Sequence, residues 1–569
     1  MDLLKNRFCP PGTRGMDRLL LALLYIVTLA YMLCGCNLGI SSYDEGLIVY
    51  GSSQILDGRI LYKDIWSNYG PGQYYLLALI FKVFGESLLV ARVLSAFVNS
   101  WIAFCGFLLA RKLVPHKYAL FSWFLVLLLL ADLPPYGRAV STSLLFCLLS
   151  CLSLARAFET GRRRWLLIAG LCIGVTTIFR HDFGFYTFVP VFLAAFFFSS
   201  SNIRAANDGQ RGKLRSQLQV YLLLSVGIAV VAGPAVIFLL LNVESRVLFE
   251  DLILFPATVY SKVRAMPWPP PCPNPFKLLH GDITIGKFFR KTLQVFPLYL
   301  PIVFVVTATD LCLRLWRRLN FTVGHFVQLL LVLLGLTFFN YSRVGFSMSS
   351  AMPQITFAVV LLPSALYSFG HSNPSKYRTI FYSFTIFMVL MASFSFGRFF
   401  VQSTGRKLGI SKSSRTLAAL SIERGRGIKL RQEEAEPLQQ ALYYVKNITA
   451  PDERIFVGTT RHDRLWSSDP MFYFLADRHN ATRYNDLCPG LATTEPVQKE
   501  IIKDLLTNRV RCIVLTSAFE DVERTNESNK SSGILLLDNF IKEHYSNVAN
   551  FGVYSIMRLN SAGQEDLFE

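Results

Sequence analysis

The chain has 569 residues, of which 52% are hydrophobic, 14% aromatic and only 17% charged. Its apolar residues form long uncharged runs, and runs of about 20 such residues are typical of membrane-spanning helices. This composition excludes an ordinary soluble protein. The formal net charge of +19 would suit a nucleic-acid partner. The basic residues cluster in short loops between apolar runs, however, where they orient a membrane protein, so we expect no nucleic acid.

The first apolar run, from about Leu19 to Ile40, follows a basic N-terminus. It is too long for the apolar part of a cleaved signal peptide and lacks a convincing small-residue cleavage site, so it predicts a first transmembrane helix. Further spans are expected at 87–110, 118–132, 139–157, 165–180, 183–200, 218–242, 292–312, 323–340, 351–369 and 379–400, which makes about eleven in all. The predicted fold is a polytopic α-helical membrane protein with a cytoplasmic N-terminus.

One assignment within this series is ambiguous. Residues 165–199 are almost continuously apolar and are interrupted only by Phe179–Gly184, so one kinked helix or two short helices would fit. With two helices, every loop carrying two to four Lys or Arg lies on the side of the N-terminus. With one helix, the last three basic loops would lie outside. The positive-inside rule therefore favours two helices. The turn between them, at 180–182, is then expected below the outer surface, against protein or a wet cavity.

Two long loops, 41–86 and 243–291, and the tail from about residue 405 are expected outside the cell or in the organelle lumen. The proline-rich MPWPPPCPNPF of the second loop predicts a constrained, non-helical segment. We expect a transmembrane domain over 1–404 and a soluble α/β domain over 405–569. In the tail, RIFVGTT and VRCIVLTS are typical of buried strands, and EPVQKEIIKDLLTN and ILLLDNFIKEHY of amphipathic helices.

The tail has further features that bear on its location and chemistry. Sequons at Asn447, Asn480, Asn526 and Asn529 fit an extracytoplasmic position. The chain has 11 cysteines without a zinc or redox spacing. Cys488 and Cys512 either pair in the tail or stay as free thiols, and the sequence leaves both readings open. The tail has no glycine-rich phosphate loop, so nucleotide binding is not predicted.

The segment SSYDEGLIVYGSSQILDGRILYKDIWSNYGPGQYYLLAL, residues 41–79, follows the first span. It opens with Asp44 and Glu45, and a carboxylate at a membrane boundary is usually a solvated helix cap. Here the pair lies at the mouth of a long loop. Other acids and arginines are predicted at the same level of the membrane, and these are Asp132, Arg138, Arg180, Asp182 and Arg343. That convergence indicates a polar site.

The order of YDEG, ILDGRILYKD, the GPG turn and LLALIFKVFG resembles the first extracytoplasmic loop of the GT-C membrane glycosyltransferases. This superfamily includes protein O-mannosyltransferases and the lipid A aminoarabinose transferase. The resemblance covers roughly residues 19–400, and Asp44-Glu45 matches the acidic pair of the family. NYGPGQYYLLA stands where protein mannosyltransferases have a His-Pro-Pro-Leu-like segment. The histidine is absent here and only Pro71 is kept, which departs from the pattern for a protein acceptor.

The resemblance implies an inverting transferase that moves a sugar from a polyprenyl-phosphate donor to an acceptor hydroxyl on the extracytoplasmic face. A lipid phosphate is already a good leaving group, so the enzyme needs no general acid, unlike a glycosidase with its two carboxyl groups. One base must take the proton of the acceptor hydroxyl. Positive charge must stabilise the departing phosphate.

We expect Asp44 to be the base, and Glu45 to orient it or the acceptor, as the family pattern implies. Asp132 or Asp182 is the expected second acid, in contact with sugar, acceptor or a metal. No spacing of His, Cys and Asp indicates a metal site, so no cofactor is firmly implied and a divalent metal is left open.

The expected phosphate ligands are Arg180 and Arg343, because a guanidinium is a planar fork of donors for phosphate oxygens. Lys63 lies in the first loop and is a further candidate for contact with the donor. Each arginine has a simpler explanation. Arg180 can pair with Asp182 to cap a short helix, and Arg343 can extend to the membrane surface. If the hypothesis is right, these residues and Asp44 line one cavity open to the outer leaflet.

Three alternatives remain from other functional classes. A transporter or flippase for a lipid-linked sugar would place charges near the bilayer midplane and show internal repeats, neither of which we find. A non-catalytic membrane scaffold would tolerate replacement of Asp44, and a ligase for whole glycans would differ only in cavity shape. The sequence leaves open whether the acceptor is a lipid, a glycan or a protein, and which sugar is moved. It also leaves open whether the carrier is dolichyl or undecaprenyl, and whether the membrane is a bacterial plasma membrane or the eukaryotic endoplasmic reticulum.

Overall fold

The structure is a computed structural model that describes residues 14–131, 133–202, 210–316, 322–342, 348–370, 376–410, 416–520 and 526–560. The first part of the chain is helical. Its elements are α1 (Arg14–Leu33), α2 (Asp44–Leu56), α3 (Gly72–Phe84), α4 (Leu88–Leu113), α5 (His116–Ala131), α6 (Ala139–Thr160), α7 (Arg164–Phe179), α8 (His181–Asn202), α9 (Gln210–Asn242), α10 (Ser245–Phe249), a π-helix (Glu250–Tyr260), α11 (Ser261–Val263), α12 (Pro275–Leu279), α13 (Ile285–Val295), a 3₁₀ helix (Phe296–Tyr299), α14 (Ile302–Trp316), α15 (Val323–Ser342), α16 (Met348–Gly370) and α17 (Lys376–Lys407).

A helix overlaps each of the eleven predicted spans. Among the described residues, five helices are by themselves long and apolar enough to cross a bilayer, namely α4, α6, residues 217–242 of α9, α15 and residues 383–407 of α17. A sixth span results if α14 is joined to the preceding segment Ile285–Tyr299, from which it is bent by 42°. Several remaining apolar helices are shorter, so the count of eleven crossings stays a prediction. A multi-pass membrane protein is confirmed.

The ambiguous stretch 165–199 contains two helices. Helix α7 ends at Phe179, Arg180 has an extended backbone (φ −149°, ψ 108°), and α8 begins at His181. Helix α7 lies very close to α9, and glycines make the approach feasible. A Cβ atom added to Gly170 would lie 2.3 Å from the Leu224 carbonyl oxygen, and one added to Gly227 would lie 2.5 Å from that of Leu167. Such small residues let membrane helices pack backbone to backbone.

The tail forms a mixed sheet with helices, in agreement with the predicted strand and helix patterns. Its strands are β1 (Leu417–Ala419), β2 (Lys429–Arg431), β3 (Arg454–Thr459), β4 (His479–Asn480), β5 (Cys512–Thr516), β6 (Tyr545–Phe551) and β7 (Tyr554–Leu559), and its helices are α18 (Gln432–Ile448), α19 (Pro470–Ala476), α20 (Glu495–Thr507) and α21 (Leu536–His544). The five-stranded sheet has the order β4-β3-β5-β7-β6, with β3 parallel to β4 and β5, and β7 antiparallel to β5 and β6. Strands β1 and β2 form a separate antiparallel hairpin.

The tail does not have a core entirely of its own. One buried apolar cluster combines Val49 and Phe81 of the first loop with Val457 and Phe472 of the tail. Helix α2 is buried along most of its length because α19 covers it, and a Cβ atom added to Gly46 would lie 2.4 Å from the backbone nitrogen of Met471. The tail and the loop 41–86 therefore hold each other in place. The predicted domain boundary at residue 405 stays a prediction.

The second long loop joins the same assembly through a buried carboxylate. Trp66 donates from Nε1 to Asp251 at 3.0 Å, and Arg483 of the tail approaches the other Asp251 oxygen at 3.3 Å. Burial raises the pKa of Asp251 to about 6, although the Arg483 charge opposes this shift. The proline-rich segment after Arg264 has no helix until Pro275, as expected. Cys488 and Cys512 are buried free thiols in the structure and do not pair.

Candidate active site

Asp44 is the first residue of α2, and its side chain is exposed. The hydroxyl of Tyr136, in the connection between α5 and α6, donates a hydrogen bond of 2.9 Å to Asp44 Oδ2. The first turn of a helix is a favourable position for a carboxylate, because the helix dipole attracts negative charge there. Asp44 is thus held in place by Tyr136 and accessible to solvent.

The neighbouring Glu45 is placed quite differently. It is 1% exposed and forms a two-pronged ion pair with Arg92 of α4, whose Nε and Nη2 lie 2.6 and 2.7 Å from the two carboxylate oxygens. Arg92 also donates to the carbonyl oxygens of Cys36 at 2.8 Å and Gly39 at 2.7 Å. The pair therefore fixes the chain between α1 and α2. The Glu45 carboxylate is enclosed by this pair, and its predicted role in orienting Asp44 or the acceptor stays a prediction.

Arg180 and Asp182 form a second bidentate pair, with Arg180 Nε 3.0 Å from Oδ1 and Nη2 2.6 Å from Oδ2. Asp182 also accepts the Phe183 backbone N–H at 2.9 Å. This geometry agrees with the simpler explanation of Arg180, in which the arginine pairs with Asp182 to cap the start of α8. Two of the five guanidinium N–H donors serve Asp182, so others remain for a ligand. The guanidinium lies over the rings of Tyr69, Phe183 and Tyr341 at 5.3, 4.9 and 5.0 Å.

Shared aromatic neighbours connect this pair to Asp44. The charges that act on the hydroxyl of Tyr341 are those of Arg180, Asp182, Arg138 and Asp44. Arg138 precedes α6, its guanidinium lies 5.8 Å from the centre of the Tyr136 ring, and its buried Nε has no hydrogen-bond partner. Tyr136 thus contacts both the Asp44 carboxylate and the Arg138 guanidinium, and Arg138 has a donor to spare.

Tyr69 of the first loop belongs to the same group of residues. Burial raises the pKa of Tyr69 well above its usual range, and the nearby charges include Asp44 and Arg180. The preceding residue, Asn68, has a buried Oδ1 without a hydrogen-bond partner. The segment NYGPG thus places polar groups between Asp44 and Arg180. Gly70 is required by this packing, because a Cβ atom there would lie 2.4 Å from the Ile178 carbonyl oxygen at the end of α7.

The tail and the second loop complete the site. Asp486 is fully buried, and the hydroxyl of Tyr43 donates to it at 2.9 Å. Burial raises the pKa of Asp486 to about 7, and the negative charge of Asp44 also raises it. The Tyr43 hydrogen bond and the Arg264 charge lower this pKa. Arg264 follows α11, stacks 4.4 Å from the ring of Trp466 and donates to its carbonyl oxygen at 2.8 Å. Its Nε is buried and unpaired.

The other predicted site residues lie elsewhere or outside the description. Lys63 is exposed in the turn before Ile65 and makes no ion pair within the described residues. Asp132 and Arg343 lie outside the described residues. Across the described segments, no group of three or more His, Cys, Asp or Glu is arranged to hold a metal ion.

A cavity of about 670 Å³ lies beside Tyr136, and Asp44 is not part of its wall. It is lined by Tyr136 and Ser41, but Arg180 and Asp182 are not part of its wall. The expectation that Asp44 and the arginines share one cavity stays a prediction. Tyr136 lines this cavity and also hydrogen-bonds Asp44, so it connects the two.

Arg138, Arg264 and Asp486 were not among the predicted ligands. Arg138 does carry a sequence signal, because basic residues are scarce in the short loops that the sequence predicts to be extracytoplasmic. Asp486, 442 residues beyond Asp44, has no local signal that links it to the first loop, and only the packing of the tail on α2 reveals it.

The geometry can be compared with known proteins. Residues 68–238 match the family model described as dolichyl-phosphate-mannose-protein mannosyltransferase. The structure is similar to that of ArnT from Cupriavidus metallidurans bound to undecaprenyl phosphate, with 13% identity, a TM-score of 0.51 and coverage of 97% of this chain and 99% of that chain. The fold is that of the GT-C membrane glycosyltransferases. The resemblance expected from YDEG and the GPG turn is thereby confirmed.

A second GT-C structure is similar over most of the chain. It is the archaeal oligosaccharyltransferase AglB from Archaeoglobus fulgidus in complex with an inhibitory peptide and a dolichol-phosphate, with 12% identity, a TM-score of 0.52 and coverage of 95% of this chain and 74% of that chain. No curated protein sequence matches the chain. At these identities the likeness concerns the fold, and the chemistry has to be argued from the residues.

Proposed function

We propose that this protein is an inverting glycosyltransferase that moves a sugar from a polyprenyl-phosphate donor to an acceptor hydroxyl on the extracytoplasmic face of the membrane. The observation that carries the proposal is the exposed Asp44 carboxylate, held by the hydroxyl of Tyr136, whose ring lies 5.8 Å from the Arg138 guanidinium. Transfer from a lipid phosphate requires a base for the acceptor proton and positive charge for the departing phosphate. The polyprenyl phosphates named for ArnT and AglB support this choice of donor.

The proposed reaction is a single displacement. The acceptor oxygen attacks the anomeric carbon while its proton passes to Asp44. The bond between the anomeric carbon and the phosphate oxygen breaks, and its electron pair leaves with the polyprenyl phosphate. Arg138 and Arg264 each offer a buried, unpaired Nε–H to the phosphate oxygens, and Arg180 adds the donors that Asp182 does not use. Preorganised donors of this kind stabilise charge as it develops.

Each predicted residue has a proposed place in this scheme. Asp44 is the base, and Glu45 positions it through Arg92. Asp182 is the second acid, which aligns Arg180, and Asp486 aligns Tyr43. Lys63, Asp132 and Arg343 stay predicted contacts of the donor or acceptor.

The proposal includes an orientation of the chain, with the N-terminus in the cytoplasm and the tail outside. The distribution of Lys and Arg among the loops supports it. The sequons offer a measurement, because Asn447 is exposed whereas Asn480 is buried and hydrogen-bonded. In a eukaryotic expression host, Asn447→Gln should remove a glycan, and Asn480→Gln should not. An unglycosylated tail at Asn447 would argue against this orientation.

The function is tested with a panel of radiolabelled polyprenyl-phosphate sugars. Purified wild-type protein supplied with an acceptor extract should release polyprenyl phosphate and transfer an equal amount of labelled sugar from one donor. Asp44→Asn should lower this transfer by about 10²–10⁴-fold, because the amide cannot accept the proton. Lys277→Gln, an exposed change in α12, is the matched control and should retain turnover. If Asp44→Asn releases sugar at the wild-type rate, Asp44 is not the base. Transbilayer movement of an intact donor without release would favour a flippase.

A further inference from the structure

The cavity of about 670 Å³ beside Tyr136 has no part in the proposed chemistry of the donor. It lies between the ends of α1, α4, α5 and α17 and is closed from above by the hairpin of β1 and β2. We propose that this cavity binds the acceptor and that the acceptor is an amphiphile with an anionic head group. The acceptor role rests on the proposed function, whereas binding of an anionic amphiphile can be tested without it.

The position of the cavity suits an acceptor. An inverting displacement requires the acceptor and the leaving phosphate to lie on opposite sides of the anomeric carbon. The lining includes Tyr136, which touches Asp44, and Ser41, three residues before it, but none of Arg138, Arg180 or Arg264. An acceptor in this cavity would approach Asp44 past Tyr136, along a wall that contains none of these three arginines.

The lining is rich in cations. Arg431 is neutralised locally, because it pairs with Glu434 within the same wall. Lys407 and Lys429 form no ion pair within the described residues. The Lys407 ammonium donates to the Tyr31 carbonyl oxygen at 3.3 Å and lies 4.0 Å from the centre of that ring. An ammonium has three N–H donors, so Lys407 can also bind an anion. Two unneutralised ammonium groups select a negatively charged ligand.

The backbone makes room for Lys407. Gly35 has a φ of +91°, and a Cβ atom there would lie 2.5 Å from Lys407 Cγ, so only glycine allows the lysine to lie along this wall. Asn99 of α4 lines the cavity and is 5% exposed, and its Oδ1 has no hydrogen-bond partner. A buried polar atom without a partner is costly, and a ligand hydroxyl would satisfy it. The wall thus offers both charge recognition and a hydroxyl acceptor.

The remaining wall is apolar, and a purely polar ligand would not use it. Met32, Ala96, Leu130 and Leu133 line the cavity at the ends of membrane helices. The volume is in the usual range of about 300–1,000 Å³ for a bound small ligand, which is enough for a head group and the first part of a hydrocarbon chain. The combination indicates a lipid that enters from the outer leaflet.

Photoaffinity labelling tests the binding. The probe is phosphatidylglycerol with a diazirine in its acyl chain, and diacylglycerol with the same chain is the neutral control. We expect the anionic probe to label the cavity peptides around Asn99 and Lys407, and the double variant Lys407→Gln/Lys429→Gln to lower this labelling about tenfold. The variant must retain the wild-type melting temperature. Lys277→Gln should label as wild type does. Loss of label in Arg180→Gln would mean that the probe binds at the donor side instead.

Two labelling results would overturn the proposal. Equal labelling by the neutral probe would mean that the cavity takes any lipid, without selection for charge. Absence of label from the cavity peptides with both probes would mean that no lipid of this kind binds there. Neither result depends on turnover, so neither bears on the proposed function.

The acceptor role is tested by incubating the wild-type protein and the active radiolabelled donor with a total lipid extract. We expect the labelled product to be a lipid that an anion-exchange column retains. Transfer to it by the double lysine variant should fall about tenfold relative to its release of free sugar. Label in neutral lipids or protein would overturn the proposal. Absence of any sugar release would refute the proposed function and the acceptor role together, while the labelling result would still decide the binding.

Discussion

Replacement of Glu45 by glutamine separates a positioning role from a catalytic one. The variant keeps the shape of the side chain and leaves the Arg92 guanidinium buried without a counter-charge, since both side chains are 1% exposed. Removal of one partner from a buried ion pair costs about 3–5 kcal/mol. Arg92 would also lose the alignment that directs it to the carbonyl oxygens of Cys36 and Gly39, so the start of α2, and with it Asp44, should become displaced.

The assay is a double-mutant cycle with Glu45→Gln, Arg92→Gln and the combination, measured as unfolding free energies in detergent. Each single variant should lose about 3–5 kcal/mol, and the double variant should lose much less than the sum because no unpaired charge remains. The exposed pair of Arg246 and Glu250 is the matched control, and Arg246→Gln should leave the unfolding transition unchanged. Wild-type stability of Glu45→Gln together with complete loss of sugar release would refute this reasoning and make Glu45 catalytic.

Three further predictions follow from individual contacts. Tyr136→Phe removes one charge-assisted hydrogen bond from Asp44 and should slow sugar release about tenfold or more. The variant should still be faster than Asp44→Asn. An unchanged rate would contradict the 2.9 Å contact. Gly46→Ala places a Cβ atom 2.4 Å from the Met471 nitrogen and should loosen the tail, seen as faster hydrogen exchange in α19; unchanged exchange would speak against this packing. Burial raises the pKa of Asp486 from 3.8 to about 7, so the folded state favours the neutral acid. That stabilisation is fully present below about pH 4 and is lost as the pH rises to about 7, so the melting temperature of the wild type relative to Asp486→Asn should fall between these two values. Parallel curves would contradict this prediction.

Much of the fold could be predicted because it depends on local patterns. Hydropathy located the eleven helical segments, and the distribution of positive charge distinguished two helices from one at Arg180. Periodicity located the strands and helices of the tail. The site was only partly accessible to this reasoning. Asp44, Arg180 and Asp182 could be chosen because charged residues at helix ends in a membrane protein are conspicuous.

The contacts that complete the site connect distant parts of the chain and have no local signal. Arg92 lies inside an apolar helix, 47 residues after its partner Glu45, and hydropathy alone gives it no role. Asp486 reaches Tyr43 because the tail packs on α2, and Arg264 of the second loop contacts Trp466 of the tail. The sequence did not reveal this packing, since amphipathic patterns show that a face is buried but not against which partner.

The central claim is that Asp44 removes the proton of the acceptor. Its most direct test is the single-turnover rate of sugar transfer, with enzyme in excess over the donor so that product release does not mask the chemical step. A general base contributes about 10²–10⁴-fold, so the rate of Asp44→Asn should be lower by that factor while donor binding persists. A rate for Asp44→Asn within a few-fold of the wild type would contradict the claim.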